Sequence, residues 1–157
     1  FGSGSHGRLG TGNTMSRLRP HRVTLPKSKS SGASSSRVVL AATGDAHTLL
    51  LTEGHEVLTF GCGTFGQLGH GDRKDRSIPT YLRVTAEDED CDDASLPVVN
   101  IAAGSLHSML LLRDGRLATF GRNGHGQLGF GIDATWARAV EPDEASLNVL
   151  RPKLVSL

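Results

Sequence analysis

The chain has 157 residues, a formal net charge of +1 and 37% hydrophobic residues. This balance argues against a strongly basic nucleic-acid-binding protein, and no apolar run approaches the roughly 18 residues that a membrane span needs. The two cysteines, Cys62 and Cys91, lack metal-ligand spacing, which predicts free thiols in a reducing compartment. We therefore expect an intracellular protein of the nucleus or cytoplasm, with no membrane contact, no cofactor and no metal.

A glycine-rich motif occurs three times, at residues 1–12, 60–71 and 120–131, with spacings of 59 and 60 residues. The similarity extends upstream, because residues 38–71 and 98–131 are identical at 15 of 34 positions. A fixed period of this size predicts one supersecondary unit stacked on copies of itself. We predict a partial repeat with a Ser/Lys-rich loop, a complete repeat with an acidic loop, and a repeat that ends at the start of another; their bounds are 1–37, 38–97 and 98–157.

Each unit contains short apolar runs bounded by glycine, which are typical of buried β-strands and too short for helices. The Asp-Gly pair at 114–115 predicts a tight turn with a positive φ. A fourth strand is predicted at 80–84 in the first complete unit and at 136–140 in the second. Four short strands per unit are typical of a β-propeller blade.

Three polar insertions are expected at one place in the period, between the fourth strand and the next unit, at 24–37, 85–97 and 141–150. Loops at equivalent positions in successive blades emerge on the same side of the molecule. The segment 27–37 is rich in Ser and Lys and predicts a flexible loop, whereas 87–93 has six acids in seven positions. A basic and an acidic loop are thus expected side by side.

The motifs Phe-Gly-x-Gly-x-x-Gly-Gln-Leu-Gly and Ala-Ala-Gly-x-x-His resemble those of the RCC1 (regulator of chromosome condensation 1) family. The resemblance implies an all-β fold in which this chain supplies about two to three four-stranded antiparallel blades of a seven-bladed propeller. It also implies a non-catalytic protein-interaction scaffold. The alternative is a guanine-nucleotide exchange factor for a small GTPase similar to Ran, associated with chromatin through nucleosomes or nucleic acid.

The recurring positions are interpreted as structural. The Gly-x-Gly-x-x-Gly spacing also matches a dinucleotide-binding pattern, but that pattern needs a following helix, which the residues after Gly66 cannot sustain. Asn123 in place of Gly63 indicates a left-handed backbone there. His47 is expected to form a hydrogen bond with the backbone. His6 and His125 occupy equivalent positions, but Phe65 replaces them in the middle copy, which argues against a shared ligand role. The structural positions are Gly44, His47, Gly61, Gly66, Leu68, Gly69, Gly104, His107, Gly121, Gly126, Leu128 and Gly129.

Candidate partner-binding residues follow from the resemblance and from charge. In the Ran exchange factor, acidic and histidine residues from such turns on one propeller face help engage the GTPase. The carry-over places Asp45 and Ser105 on that face; ordinary turn chemistry is the alternative. A basic segment is a candidate for contacting phosphates or an acidic protein surface, with a solvated linker as the alternative. Open blade faces predict self-association. The remaining candidates are Arg19, Arg22, Lys27, Lys29 and Trp136, the last with blade core as its alternative.

Overall fold

A computed structural model of the chain describes residues 1–27, 37–85, 96–130 and 147–155. These ranges contain one 3-10 turn at Ser5–Gly7 and eight strands. None of the described residues lies in a helix with the length and hydropathy that a membrane crossing requires. The strands are β1 Val38–Thr43, β2 His47–Thr52, β3 Val57–Gly61, β4 Arg76–Leu82, β5 Val98–Ala103, β6 His107–Leu112, β7 Leu117–Gly121 and β8 Val149–Val155.

The strands form two four-stranded antiparallel sheets, in the orders β1-β2-β3-β4 and β5-β6-β7-β8. The predicted all-β fold with four strands per unit is thereby confirmed. The two sheets share one register, since Leu50 lies opposite Leu58 in the first sheet and Leu110 lies opposite Ala118 in the second. The repeat period thus sets the position and the pairing of the first three strands of each sheet.

The fourth strand of the second sheet is β8, in which Val149 pairs with Gly121 and Val155 pairs with Leu117. Residues 151–155 therefore complete this sheet. The sequence had indicated that they start a further repeat, and that prediction is wrong. The prediction of the fourth strand at 136–140 falls outside the described residues. β8 is the fourth strand of this sheet and supplies apolar side chains to the core. The last insertion therefore comes before the fourth strand, between β7 and β8, and not after it as predicted.

The hairpin turns differ in residue type and agree in geometry. Gly115 has a φ of 89°, and its N–H donates to the Leu112 carbonyl at 3.0 Å, which confirms the predicted Asp-Gly turn. In the first sheet His55 takes the same place with a φ of 64°. A left-handed backbone is strained for histidine, but the His55 ring is held by a hydrogen bond to the Val98 carbonyl at 3.0 Å.

The main core lies between the sheets, where β1 and β2 face β5. β5 is covered by the first sheet, so Val98 is buried. The first residues of β1 were also predicted to be buried, but Val38, Val39 and Leu40 are exposed because no described strand packs over them. The buried side chains of this core include Leu49, Leu51, Val57, Leu110, Leu112, Ala118 and Phe120.

The first two glycine motifs each pack on the third and fourth strands of the sheet that follows. Gly69 has a φ of 79°, and a Cβ there would lie 2.9 Å from Leu82 Cδ1 and from the Phe120 ring. The expected left-handed backbone at Gly63 is wrong, because its φ is not positive. A Cβ at Gly63 would instead lie 2.1 Å from the Lys74 carbonyl oxygen. Close backbone approach, not handedness, requires glycine at this position.

Candidate protein-binding site

The turns that join β1 to β2 and β5 to β6 lie side by side at one end of the two sheets. The Asp45 N–H donates to the Ser105 carbonyl at 3.2 Å, and the Ser105 hydroxyl donates to Asp45 Oδ2 at 2.5 Å. Both residues are exposed. The structure therefore joins the two predicted binding residues directly and leaves them accessible.

Arg8, from the first glycine motif, extends this edge into the partial unit. Its Nη1 donates to the Asp45 carbonyl at 2.6 Å, and its Nε donates to the Ser5 carbonyl at 3.1 Å. A guanidinium, a carboxylate and a hydroxyl from three successive units thus form one line, which we call the turn row: Arg8, Asp45 and Ser105. Sequence reasoning missed Arg8, although the signal was present, since the other two motif copies have glutamine at this position.

A buried polar joint supports the turn row from beneath. His47 Nε2 lies 3.0 Å from Ser108 Oγ, and Ser108 Oγ donates to the Gln67 carbonyl at 2.8 Å. Because the serine proton is used in that bond, the His47 Nε2–H must donate to the serine oxygen. The ring therefore bonds to the Ser108 side chain in addition to the expected backbone partner, which is a backbone group of His107.

The protonation state of His47 follows from this geometry. His47 is 1% exposed, and its Nδ1 has no hydrogen-bond partner among the described residues. Adding a proton to Nδ1 would bury an unpaired cation. Burial, with a smaller contribution from the charge of His107, lowers the pKa of His47 to about 4. At neutral pH the joint is therefore uncharged.

His47 and His107 each have a glycine three positions earlier, because the imidazole ring occupies the space that a Cβ would need. A Cβ at Gly44 would lie 2.3 Å from His47 Cε1, and a Cβ at Gly104 would lie 2.1 Å from His107 Cε1. Real Cβ atoms do not approach other atoms this closely. The Gly-x-x-His pattern is thus a packing requirement of the turn, with the ring lying against the glycine backbone.

The His47–Ser108 pair has the residue types of a nucleophile and its base, a pairing that the sequence did not reveal. Ser108 is 0% exposed, and its hydroxyl proton points to a carbonyl, so no substrate reaches it. Thr48 makes the equivalent bond in the preceding joint, donating from Oγ1 to the Arg8 carbonyl at 3.0 Å. The recurrence of this bond in both joints indicates a structural role.

The remaining predicted residues are dispersed. Arg19, Arg22 and Lys27 are exposed, and none of the described contacts joins them to the turn row. Lys29, Trp136, Cys91 and the acidic run 87–93 lie outside the described residues. Among the structural positions, Leu68 and Leu128 are buried and His107 is half-buried. Positive φ values, from 72° to 109°, occur at Gly61, Gly66, Gly69, Gly121, Gly126 and Gly129.

Family models and curated relatives match this chain. Residues 1–51 and 55–111 match the model of the Regulator of chromosome condensation (RCC1) repeat, and a second model of that description matches 38–67 and 98–127. The chain is 35% identical over 131 residues to the Ultraviolet-B receptor UVR8 of Arabidopsis thaliana, covering 83% of this chain and 26% of the receptor. It is 35% identical over 158 aligned positions to the Protein RCC2 homolog of Danio rerio, covering 100% of this chain and 28% of the homolog.

Solved structures show the same fold. Yeast RCC1 (Prp20), in its crystal structure with Kap60, has a TM-score of 0.70 at 18% identity, over 99% of this chain and 32% of that one. Human WBSCR16 has a TM-score of 0.66 at 23% identity, over 98% of this chain and 33% of that one. The chain thus spans about a third or less of each of these four proteins. Because the repeat model covers more than half of its residues, the chain belongs to the RCC1 repeat family, and its two sheets are blades of an RCC1-type β-propeller.

Proposed function

We propose that this chain is part of a non-catalytic protein-binding scaffold and that the turn row contributes to the contact with the partner. The observation that carries the proposal is the direct bonding of exposed turns from successive units. Groups held in place before binding lose little conformational freedom when the partner arrives. Beneath this edge, the buried His47–Ser108 joint holds the β1–β2 turn and the β5–β6 turn in register.

The chemistry of the turn row suits the polar rim of a protein interface. It presents a guanidinium, a carboxylate and a hydroxyl, whose charges favour specificity and rapid association. The expected partner is therefore an intracellular protein with a charged surface. The exposed Arg19, Arg22 and Lys27 extend the candidate surface toward an acidic protein or nucleic acid. Lys29 and Trp136, which lie outside the described residues, are proposed for the same partner on sequence grounds alone.

A second candidate function is nucleotide exchange on a small GTPase. The exposed Asp45 carboxylate favours it, since such a factor acts by binding the nucleotide-free state more tightly, without covalent chemistry. One matched protein is named for a GTPase, the human X-linked retinitis pigmentosa GTPase regulator, which is 34% identical over 82% of this chain and 11% of that protein. Another, yeast Prp20p, has a structure that is described with its binding to Gsp1p and histones. For this chain, exchange activity is the alternative to a passive scaffold.

The two functions are separated by comparing binding with exchange. Proteins captured by the chain are quantified by mass spectrometry for the wild type and for Asp45→Ala, and labelled-GDP release is measured on Ran and a small GTPase panel. The control is Asp114→Ala, an exposed acid in the β6–β7 turn at the opposite end of the sheet. We expect Asp45→Ala alone to lose the captured partner, without any effect of the chain on GDP release.

Accelerated GDP release that Asp45→Ala abolishes would instead establish the exchange factor. Equal capture by the wild type and both variants would contradict a role for the turn row in either function.

The open side of the second sheet supports a further proposal, that the isolated chain self-associates. An apolar groove of about 230 Å³ lies on this side. The equivalent face of the first sheet is buried against the second sheet. In a complete propeller, for which we propose seven blades, another blade would cover this groove. The groove is lined by Asn100, Ile101, Ala102, Met109, Leu111 and Leu117.

A further inference from the structure

Three side chains with metal-ligating atoms converge where the first glycine motif meets the first sheet. His6 Nδ1 lies 2.7 Å from Asp75 Oδ2, and one ligand atom from each of His6, Cys62 and Asp75 lies within 4.8 Å of the other two. His6 comes from the first glycine motif, whereas Cys62 and Asp75 both lie in the connection between β3 and β4. The expectation of no metal site rested on local spacing, which cannot report a cluster built by packing one unit on another.

The structural task of Asp75 does not require a carboxylate. Its Oδ1 accepts from the Gly63 N–H at 2.9 Å. In the preceding unit the Ser16 hydroxyl accepts from the Gly4 N–H at 3.2 Å, so a serine performs the same capping. The second carboxylate oxygen of Asp75 is therefore additional to the cap, and it faces His6.

The equivalent place in the next joint has different chemistry. Phe65 takes the position of His6 and Arg122 takes that of Cys62; the Arg122 guanidinium lies 5.5 Å from the centroid of the Phe65 ring. A cation–π contact thus links the units there. His6 also has a φ of 59°, whereas Phe65 does not have a left-handed backbone. Such strained backbone at a non-glycine residue is concentrated at functional sites.

We propose that His6, Cys62 and Asp75 bind one Zn²⁺ ion that fastens the partial unit to the first sheet. Imidazole nitrogen, thiolate and carboxylate oxygen are all zinc ligands, and three protein ligands leave the fourth tetrahedral position to water. The inference is independent of the proposed partner binding. It assigns a chemical role to Cys62, a buried free cysteine.

The His6 and Asp75 side chains must move to form the site, because ligand atoms up to 4.8 Å apart have to reach the separations of about 3.3–3.6 Å that tetrahedral zinc geometry sets. With zinc–nitrogen and zinc–oxygen distances near 2.0–2.1 Å, the His6–Asp75 atom pair must open by about 0.6 Å from its hydrogen-bonded separation. The His6 and Asp75 side chains are 47% and 42% exposed, so they can adjust and they leave the ion a path from solvent. Cys62 is 6% exposed and anchors the inner side. Binding breaks the His6–Asp75 hydrogen bond and releases the thiol proton to solvent.

Cobalt provides a direct readout, since a cysteine thiolate bound to Co²⁺ gives a charge-transfer absorption band in the near ultraviolet. The complete chain is titrated with Co²⁺, and the bound ion is then displaced with Zn²⁺. We expect one equivalent to bind with this band and Zn²⁺ to remove it. Substitution of a ligand should weaken the affinity for Zn²⁺ by at least about 10–100-fold, the range found for supporting residues around metals.

The other units supply matched variants that preserve packing. Cys62→Ser and Asp75→Ser introduce the residues found at Ser3 and Ser16, and His6→Phe introduces the residue at Phe65. Each should lose the band and the affinity, while circular dichroism shows the wild-type β signal. Cys91→Ser should retain both.

The proposal is overturned if the folded wild-type chain gives no thiolate band. It is also overturned if Cys62→Ser keeps the band, if Cys91→Ser removes it, or if the other two substitutions leave the affinity for Zn²⁺ unchanged.

Discussion

Acidification should weaken the joint between the two sheets through His47. Its pKa in the folded chain is about 4, below the ordinary value of 6.5. The unfolded chain therefore binds more protons between these values, so the stabilisation is complete above pH 6.5 and is lost as the pH falls toward 4. Between pH 7 and pH 5, His47 alone should lower the free energy of unfolding by about 2 kcal/mol.

His70 acts in the same direction with a smaller effect, because it is partly exposed. Burial and the neighbouring Arg76 lower the pKa of His70 to about 4, and its Nε2 lies 2.9 Å from Thr59 Oγ1. Asp72 affects a different range: a hydrogen bond from Arg76 lowers the pKa of Asp72 to about 2, so its contribution is lost only below its ordinary value of 3.8. The interval from pH 7 to pH 5 therefore isolates the histidines.

Urea unfolding at pH 7 and pH 5 measures this dependence. His47→Gln should reduce the loss of stability between the two pH values by about 2 kcal/mol, whereas His21→Gln, at an exposed position, should leave the loss unchanged. An NMR titration of the His47 ring should place its pKa near 4. The reasoning fails if His47→Gln loses as much stability as the wild type does, or if the ring titrates near 6.5.

Three further substitutions test packing and association. Gly104→Ala places a Cβ 2.1 Å from His107 Cε1 and should lower the urea unfolding free energy by about 1–3 kcal/mol more than Gly54→Ala, whose Cβ would lie 3.8 Å from its nearest neighbour; equal losses would contradict the ring–backbone contact. Ser108→Ala removes the bonds of two buried groups, His47 Nε2 and the Gln67 carbonyl, and should lower the free energy of unfolding by about 1–3 kcal/mol. An unchanged free energy of unfolding would contradict this role of the joint. Leu111→Lys should shift the chain toward monomer in light scattering, and no shift would exclude the groove as the associating face.

The period of the sequence predicted the fold well because each unit is built from local contacts. The Asp114-Gly115 turn and the four-strand plan need only residues within one copy. β8 was misplaced because a long insertion separates it from β7, so that the period no longer marks its position. The exposure of Val38 was also missed, since burial depends on which neighbour covers a strand, and the pattern of one strand does not contain that information.

The candidate sites were less predictable because they are built between units. Asp45 and Ser105 were found from their turns, but their direct bond depends on how one sheet packs on the next. Arg8 had a detectable signal, the replacement of a glutamine present in both other copies. The cluster around Cys62 had none, since Cys62 and Asp75 share one connection, between β3 and β4, but the approach of His6 depends on how the preceding unit stacks on this one.

Comparison between copies separates the residues that build the joints from those that make each joint different. Thr48 and Ser108 have different side chains, yet both donate to a backbone carbonyl of the preceding glycine motif. Because the acceptor is a backbone carbonyl, this bond places no demand on the side chain of the motif residue; the two acceptors belong to Arg8 and Gln67. The Gln67 side chain has a separate task, since its Oε1 accepts from the Phe65 N–H at 2.9 Å. The side chain of Arg8 is thus available to bond the Asp45 turn without any change to the joint. Substitution at such positions alters the surface while the propeller geometry is maintained, which explains how one repeat can present different binding groups from blade to blade.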